Sequence, residues 1–256
     1  MLGKLLGNLP RLFRGGTRAP ETATLQTGEA NPLAEYFYNN PGRVMTKWDN
    51  YFEIYHRHFA GFRGRSPVVV EIGVERGGSL QMWHHYFGPG TRLVGIDIDT
   101  RCLQFQDDAT TIMIGDQADR SFLAAIRKRV PHLDILIDDG GHIMTQQIAT
   151  FEELYPHIQP KGIYLCEDMH TSLWPSYGGG HRRPGTFLEY SKALVDKLSA
   201  WHSEGQPTLP VDEFTRTTHS MHFYDSVVVI EKRPMKEPRS FRSAASPSMD
   251  VRAGSC

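Results

Sequence analysis

The chain has 256 residues, with 28 basic and 29 acidic side chains and a formal net charge of -1, so no broad field draws it to nucleic acid or to an anionic membrane. Its three cysteines, Cys102, Cys166 and Cys256, are scattered and lack CxxC spacing, which suggests neither a disulfide framework nor a structural zinc site and fits a reducing cytoplasm. No apolar run approaches the roughly 18 residues that span a bilayer.

Residues 1–40 open with MLGKLLGNLPRLFRGG, broken by Asn8 and Pro10, and are expected to be a flexible leader. Lys4, Arg11 and Arg14 among Leu and Phe residues leave a peripheral membrane contact open there, without stable insertion. Over 42–60, Val44, Trp48, Phe52 and Tyr55 recur at spacings of three and four, which predicts one amphipathic helix. Apolar runs at 67–73, 91–98, 110–116, 133–139 and 162–168 then alternate with helical patterns at 78–87, 119–129, 144–157 and 185–202. Such alternation predicts βαβ units and a mostly parallel, doubly wound Rossmann-like α/β sheet. Two last runs, 215–224 and 226–232, are separated by little more than Asp225 and predict an antiparallel hairpin closing the sheet, the layout of a class I methyltransferase. The domain is expected over 41–233. From 234 to 256 the Ser-, Pro- and Arg-rich composition predicts a disordered tail.

Two acidic pairs, Asp138-Asp139 and Glu167-Asp168, each follow a strand-like run. In an open α/β sheet ligands bind outside the carboxyl ends of the strands, and adjacent strands lie about 4.8 Å apart. Four carboxylates gathered there repel unless a cation joins them, and all-oxygen ligands suit Mg²⁺, Mn²⁺ or Ca²⁺. The turn Glu71-Ile72-Gly73-Val74-Glu75-Arg76-Gly77-Gly78-Ser79 follows the first strand, but Glu75 stands where the dinucleotide fingerprint needs glycine, which argues against NAD or FAD. Glu71, with Gly73, Gly77 and Ser79 in the turn, and Asp97 at the end of the second strand suit a ligand with ribose hydroxyls and a cationic centre, which S-adenosylmethionine (SAM) has. Asp97 would take the ribose hydroxyls, while Asp116 and Gln117 would bracket the adenine. Asp138 either caps a turn or meets the methionine end. Taken singly, these acids are equally readable as ordinary polar strand ends.

The runs VVEIGVERGGSLQMWHHYFGPGTRLVGIDID, GDQAD, LDILIDDGGH and LCEDMHTS leading to Tyr177 resemble the SAM-dependent sugar O-methyltransferases of macrolide biosynthesis, of the mycinamicin and macrocin type, and the group of rhamnosyl O-methyltransferases and cephalosporin hydroxylases. The resemblance spans roughly residues 45–232 and implies Mg²⁺ held by Asp139, Glu167 and Asp168, with His142 as general base. It implies methylation of a sugar hydroxyl on a glycoside, glycolipid or polysaccharide precursor, and self-association by family analogy. His170, Trp174 and Tyr177 lie in the glycine-rich segment 170–185, read as a lid that contacts the acceptor; a plain surface excursion is the competing reading. A non-haem iron hydroxylase and a non-catalytic SAM-binding protein are the alternative functions; iron normally takes two His and one carboxylate, whereas the ligands expected here are all oxygens.

Overall fold

The computed structural model describes residues 31–205, 208–243 and 249–251. Two helices, α1 (Pro32–Tyr38) and α2 (Tyr51–Phe59), precede β1 (Val68–Ile72), α3 (Gly78–Phe87), β2 (Arg92–Asp97), β3 (Thr110–Ile114), α4 (Arg120–Arg129), β4 (Ile135–Asp138), α5 (Met144–Leu154) and β5 (Ile163–Cys166). After these come α6 (Phe187–Leu198), α7 (Glu213–Thr217), β6 (Thr218–Tyr224) and β7 (Val227–Lys232), then the short β8 (Ser240–Arg242) and β9 (Met249–Val251). Seven strands form one sheet in the order β3-β2-β1-β4-β5-β7-β6, with β1 to β5 parallel and β7 antiparallel to both its neighbours.

The central strands are continuously apolar because both faces are covered. Val70, Ile72 and Leu136 pack toward α4, α5 and α6, among Leu123, Phe151 and Phe187. Val69, Ile135, Ile137 and Leu165 pack on the other face, among Leu33, Tyr55, Leu80 and Trp83 of α1 to α3. Local chemistry agrees with this layering. The Asp119 carboxylate accepts the amides of Ser121 and Phe122 to start α4, whose last turn carries Arg127, Lys128 and Arg129 against the dipole.

Three expectations change. Residues 42–50 are not helical: α2 begins at Tyr51, and Val44 and Trp48 are exposed because this stretch crosses the carboxyl edge of the sheet as an irregular strap. Within the expected leader, Asn31 caps α1 and Leu33 is fully buried, so the fold begins earlier than residue 41; residues 1–30 lie outside the described residues. Within the expected tail, β8 and β9 form an antiparallel pair, while 244–248 and 252–256 are outside the described residues.

The register sets the site. Ile72 pairs with Asp138, and Asp138 with Cys166, so β1, β4 and β5 end level. The ladder runs one residue further, because Asp139 N–H donates to the Ile72 carbonyl and Glu167 N–H to the Asp138 carbonyl. Gly73 closes β1 at φ 93, and a Cβ there would lie 2.0 Å from the Asp139 carbonyl oxygen. Replacing Gly73 with Ala should therefore destabilise the protein by more than the roughly 1–3 kcal/mol of the backbone strain alone; urea unfolding that shows a loss below 0.5 kcal/mol, an order-of-magnitude threshold for surface substitutions, would contradict this reading.

Candidate active site

The pleat splits each acidic pair. Successive side chains on a strand point to opposite faces, so Asp138 faces α5 while Asp139 and Glu167, one step beyond the strands, share the face of Glu71 and α2. Asp138 is fully buried, takes a hydrogen bond from Gln117 Nε2 at 2.6 Å and lies 3.4 Å from the Tyr164 hydroxyl. Burial pushes its carboxyl up to about 6.

Asp139 and Glu167 meet an unexpected partner. Lys47 Nζ, on the strap, donates to Asp139 Oδ2 at 2.5 Å and to Glu167 Oε2 at 2.8 Å, and its side chain is 2% exposed. Burial opposes the ammonium charge, but Asp139, Glu167 and Glu71 outweigh it and hold Lys47 well above the ordinary lysine range. Burial and the Asp139 charge also push the Glu167 carboxyl well above the ordinary range, while Lys47 draws it down. From α2, one turn apart, Tyr55 donates to Glu167 Oε1 at 2.6 Å and Tyr51 to Asp168 Oδ1 at 2.7 Å. Asp168 sits in a left-handed conformation, φ 54, which turns its side chain back to the site.

His142 follows the two glycines after β4, also at positive φ, 54. Its Nε2 lies 3.4 Å from Asp168 Oδ2 and 4.0 Å from Asp139 Oδ1, and its Nδ1 is buried without a hydrogen-bond partner among the described residues. Donor atoms of Asp139, His142 and Asp168 all fall within 4.8 Å of one another. These groups line a cavity of about 1230 Å³ at the carboxyl edge, with Gly73, Ser79, Asp97, Asp116, Gln117 and Trp48 also on its wall. Such a volume exceeds the usual single-ligand cleft of about 300–1,000 Å³ and suits two reactants side by side.

Several expected contacts lie elsewhere. Glu71 does not line the cavity: its carboxylate accepts Ser79 Oγ and Trp83 Nε1, each at 2.8 Å, and burial pushes it up to about 7. Ser79 is thereby committed to Glu71, and Gly77 packs against Phe105, whose ring a Cβ would meet at 2.8 Å. Asp138 is behind the cavity, as its place in the pleat requires. Gln117 borders the cavity, but its amide is spent on Asp138, Thr150 and the Gly141 N–H, so it organises the β4 exit. Asp97 Oδ2 accepts the turn amides of Val74 and Glu75, and its Oδ1 accepts Asp99 N–H. His170, Trp174 and Tyr177 stand outside the cavity wall as an aromatic row that begins at Trp48, with successive ring centroids 5.9, 4.6 and 5.8 Å apart. His170 Nδ1 also meets Ser226 Oγ in the β6–β7 turn at 2.5 Å.

Lys47 and Tyr51 were not singled out by sequence reasoning, and Tyr55 was read only as part of an apolar helical stripe. Tyr51 and Tyr55 carry the readable signal, two phenols four residues apart on one helical face; Lys47 carries none, because its role arises where an irregular strap crosses the sheet.

The sheet order, with one reversed strand at the penultimate place and a cavity over the carboxyl ends, defines a class I methyltransferase fold. The chain is 37% identical over 202 residues to the 8-demethyl-8-alpha-L-rhamnosyl tetracenomycin-C 2'-O-methyltransferase of Streptomyces olivaceus, matching 73% of this chain and 52% of that one. It is 35% identical over 211 residues to the mycinamicin VI 2''-O-methyltransferase of Micromonospora griseorubida, matching 76% and 52%. The structure of the MycE methyltransferase of mycinamycin biosynthesis, in complex with Mg and SAH, superposes with a TM-score of 0.70 at 31% identity, covering 86% of this chain and 56% of that one. These homologues are sugar O-methyltransferases, as the sequence resemblance implied. The chain spans only about half the length of these relatives. No protein-family model matches it.

Replacing Lys47 with Met should cost about 3–5 kcal/mol in divalent-free buffer, since the buried Glu167 and the part-buried Asp139 would lose their cation; urea unfolding that shows a loss below about 1 kcal/mol, the upper end for surface pairs, would contradict the buried pairing. Asp138 gives a pH test. Its carboxyl is raised from 3.8 to about 6, so it favours folding when protonated, and that contribution is present below pH 3.8 and lost as pH rises through about 6. Relative to Asp138→Asn, which stays neutral, the wild type should therefore lose stability across that window, with a slope of up to about 1.4 kcal/mol per pH unit. Parallel stability profiles would show that Asp138 is not held up in this way.

Proposed function

We propose that this protein is a SAM-dependent, divalent-metal-dependent O-methyltransferase that acts on a sugar hydroxyl of a glycoside, glycolipid or polysaccharide precursor. The observation that carries the reading is the convergence of Asp139, Glu167, Asp168 and His142 on one cavity edge of a methyltransferase sheet, in a chain whose homologues methylate sugars.

The residues fit a hard cation. Their donors are carboxylate oxygens, and the Lys47 ammonium already lies between Asp139 and Glu167 as a stand-in positive charge. Asp139, Glu167 and Asp168 would hold Mg²⁺, or Mn²⁺ or Ca²⁺, and Lys47 would withdraw with its strap. Bound metal would lower the pKa of a coordinated hydroxyl, and SAM would supply the methyl group.

The chain's own residues do the rest. His142 Nε2 faces the carboxylates from the cavity wall and would take the hydroxyl proton; Asp168 and Asp139 beside it would stabilise the imidazolium that forms. Its unpartnered Nδ1 is the kind of buried orphan that structural histidines seldom keep. Asp97 keeps lone pairs for ribose hydroxyls beyond those used by the turn amides, and Asp116 stands exposed at the far rim. The row Trp48, His170, Trp174 and Tyr177 would offer ring faces to the acceptor sugar. The central cluster has one His and two carboxylates, the inverse of the set that non-haem iron takes, so the hydroxylase reading is not favoured.

The methyltransferase unit in this reading takes in α1 as well as residues 41–233, and the cell compartment is the cytoplasm, supported by the free, buried Cys102 and Cys166. Among the described residues no helix is long and apolar enough to cross a membrane. A peripheral contact through residues 1–30 of the leader, which lie outside the described residues, and self-association complete the proposal.

With labelled SAM and a panel of sugar glycosides, His142→Ala should lower kcat by roughly 10²–10⁴-fold, Asp139→Ala and chelator should each abolish turnover, and SAM affinity should survive both substitutions. Unchanged turnover in Asp139→Ala would sink the metal reading.

A further inference from the structure

A second cluster of ligating side chains lies away from the cavity, where α2 packs against the closing hairpin. His58, on α2, places Nδ1 2.9 Å from Glu231 Oε1, and its side chain is 3% exposed. His222 Nε2 lies 3.6 Å from the same oxygen, and His219 Nδ1 lies 3.7 Å from Glu231 Oε2. Donor atoms of His58, His222 and Glu231 all fall within 4.8 Å of one another.

The hairpin builds this cluster by an irregularity. Ser220 pairs with Glu231 and His222 with Val229, so the pleat puts Ser220, His222 and Glu231 on one face. The register shifts between Thr218 and Ser220, leaving His219 as the extra residue of a bulge. Bulges re-aim side chains, and this one brings His219 to the same carboxylate as His222. In an unbroken strand His219 and His222 would face opposite ways.

We propose that His58, His222 and Glu231, with His219 as fourth donor, form a binding site for a borderline transition metal of the Zn²⁺ or Co²⁺ class. Zinc takes imidazole and carboxylate at about 2.0–2.2 Å, which places tetrahedral donors about 3.4 Å apart. The observed 2.9 and 3.6 Å separations bracket that spacing, so small side-chain rotations close the site. The outer contacts suit it too. His58 Nε2 bonds the Tyr224 hydroxyl at 2.8 Å, the second anchor that metal-bound imidazoles usually have. A bound ion would clamp α2 to β6 and β7, and α2 is the helix whose Tyr51 and Tyr55 hold Asp168 and Glu167.

The test titrates Co²⁺ into the chelator-stripped full chain and into His222→Ala, a half-exposed position, reading visible d–d absorption and melting temperature. Comparing the two cancels any binding by the cavity carboxylates. The wild type should develop the bands of a nitrogen-rich, low-coordinate site with one equivalent and melt higher with metal. His222→Ala, with a metal-free melting curve close to wild type, should lose roughly tenfold or more in affinity together with the metal-induced rise. Equal bands and equal stabilisation in both proteins, or no bands in the wild type, would overturn the assignment.

Discussion

Carboxylates crowded on one side of three level strand ends cannot be buried together without a cation, and Lys47 meets that constraint. Its ammonium, 2% exposed, is held by Asp139 and Glu167, with Glu71 adding to the field from the neighbouring strand. Much of the surrounding structure follows. The strap at 43–48 must cross the sheet edge to deliver the lysine, so the helix that the sequence pattern starts near residue 42 starts instead at Tyr51. Two tyrosines of that helix then take the remaining oxygens of Glu167 and Asp168. Lys47 and two phenols thus hold the acids in position.

The level strand ends depend in turn on Gly73. Its positive φ and the close approach of the Asp139 carbonyl let β1 and β4 finish side by side. The hairpin completes the edge from the other direction. Its turn brings the Ser226 carbonyl to Met169 N–H and its hydroxyl to His170, so the segment after β5 is pinned close to the acids. A rigid floor and an irregular roof therefore meet at the cavity. In the glycine-rich segment at 170–185, Thr171 and Ser172 are buried and bonded.

Strand positions, the closing hairpin and the gathering of both acidic pairs at one edge were readable in the sequence, because continuous apolar runs and period-two alternation are strong local signals. The same alternation, applied one step further, assigns Asp138 and Asp139 to opposite faces; reading the four acids as one cluster overlooked it. The partners of Glu71 were not readable for a related reason. A strand-end carboxylate looks alike whether it meets a ligand or, as here, the indole of Trp83 and the hydroxyl of Ser79 eight residues along the chain. Lys47 and the His58–Glu231 cluster were hidden because both join segments far apart in sequence, 92 residues for Lys47 and Asp139 and 173 for His58 and Glu231.

Homology to sugar O-methyltransferases and a matching fold direct the proposal toward one cofactor, while the half-length match leaves the acceptor to be found by experiment. Calorimetric titration of the purified full chain with SAM, with and without Mg²⁺ and with NAD as the control ligand, tests the central claim most directly. Micromolar SAM binding without NAD binding is the expected result. Absence of SAM binding to folded, ligand-free protein would contradict the methyltransferase reading.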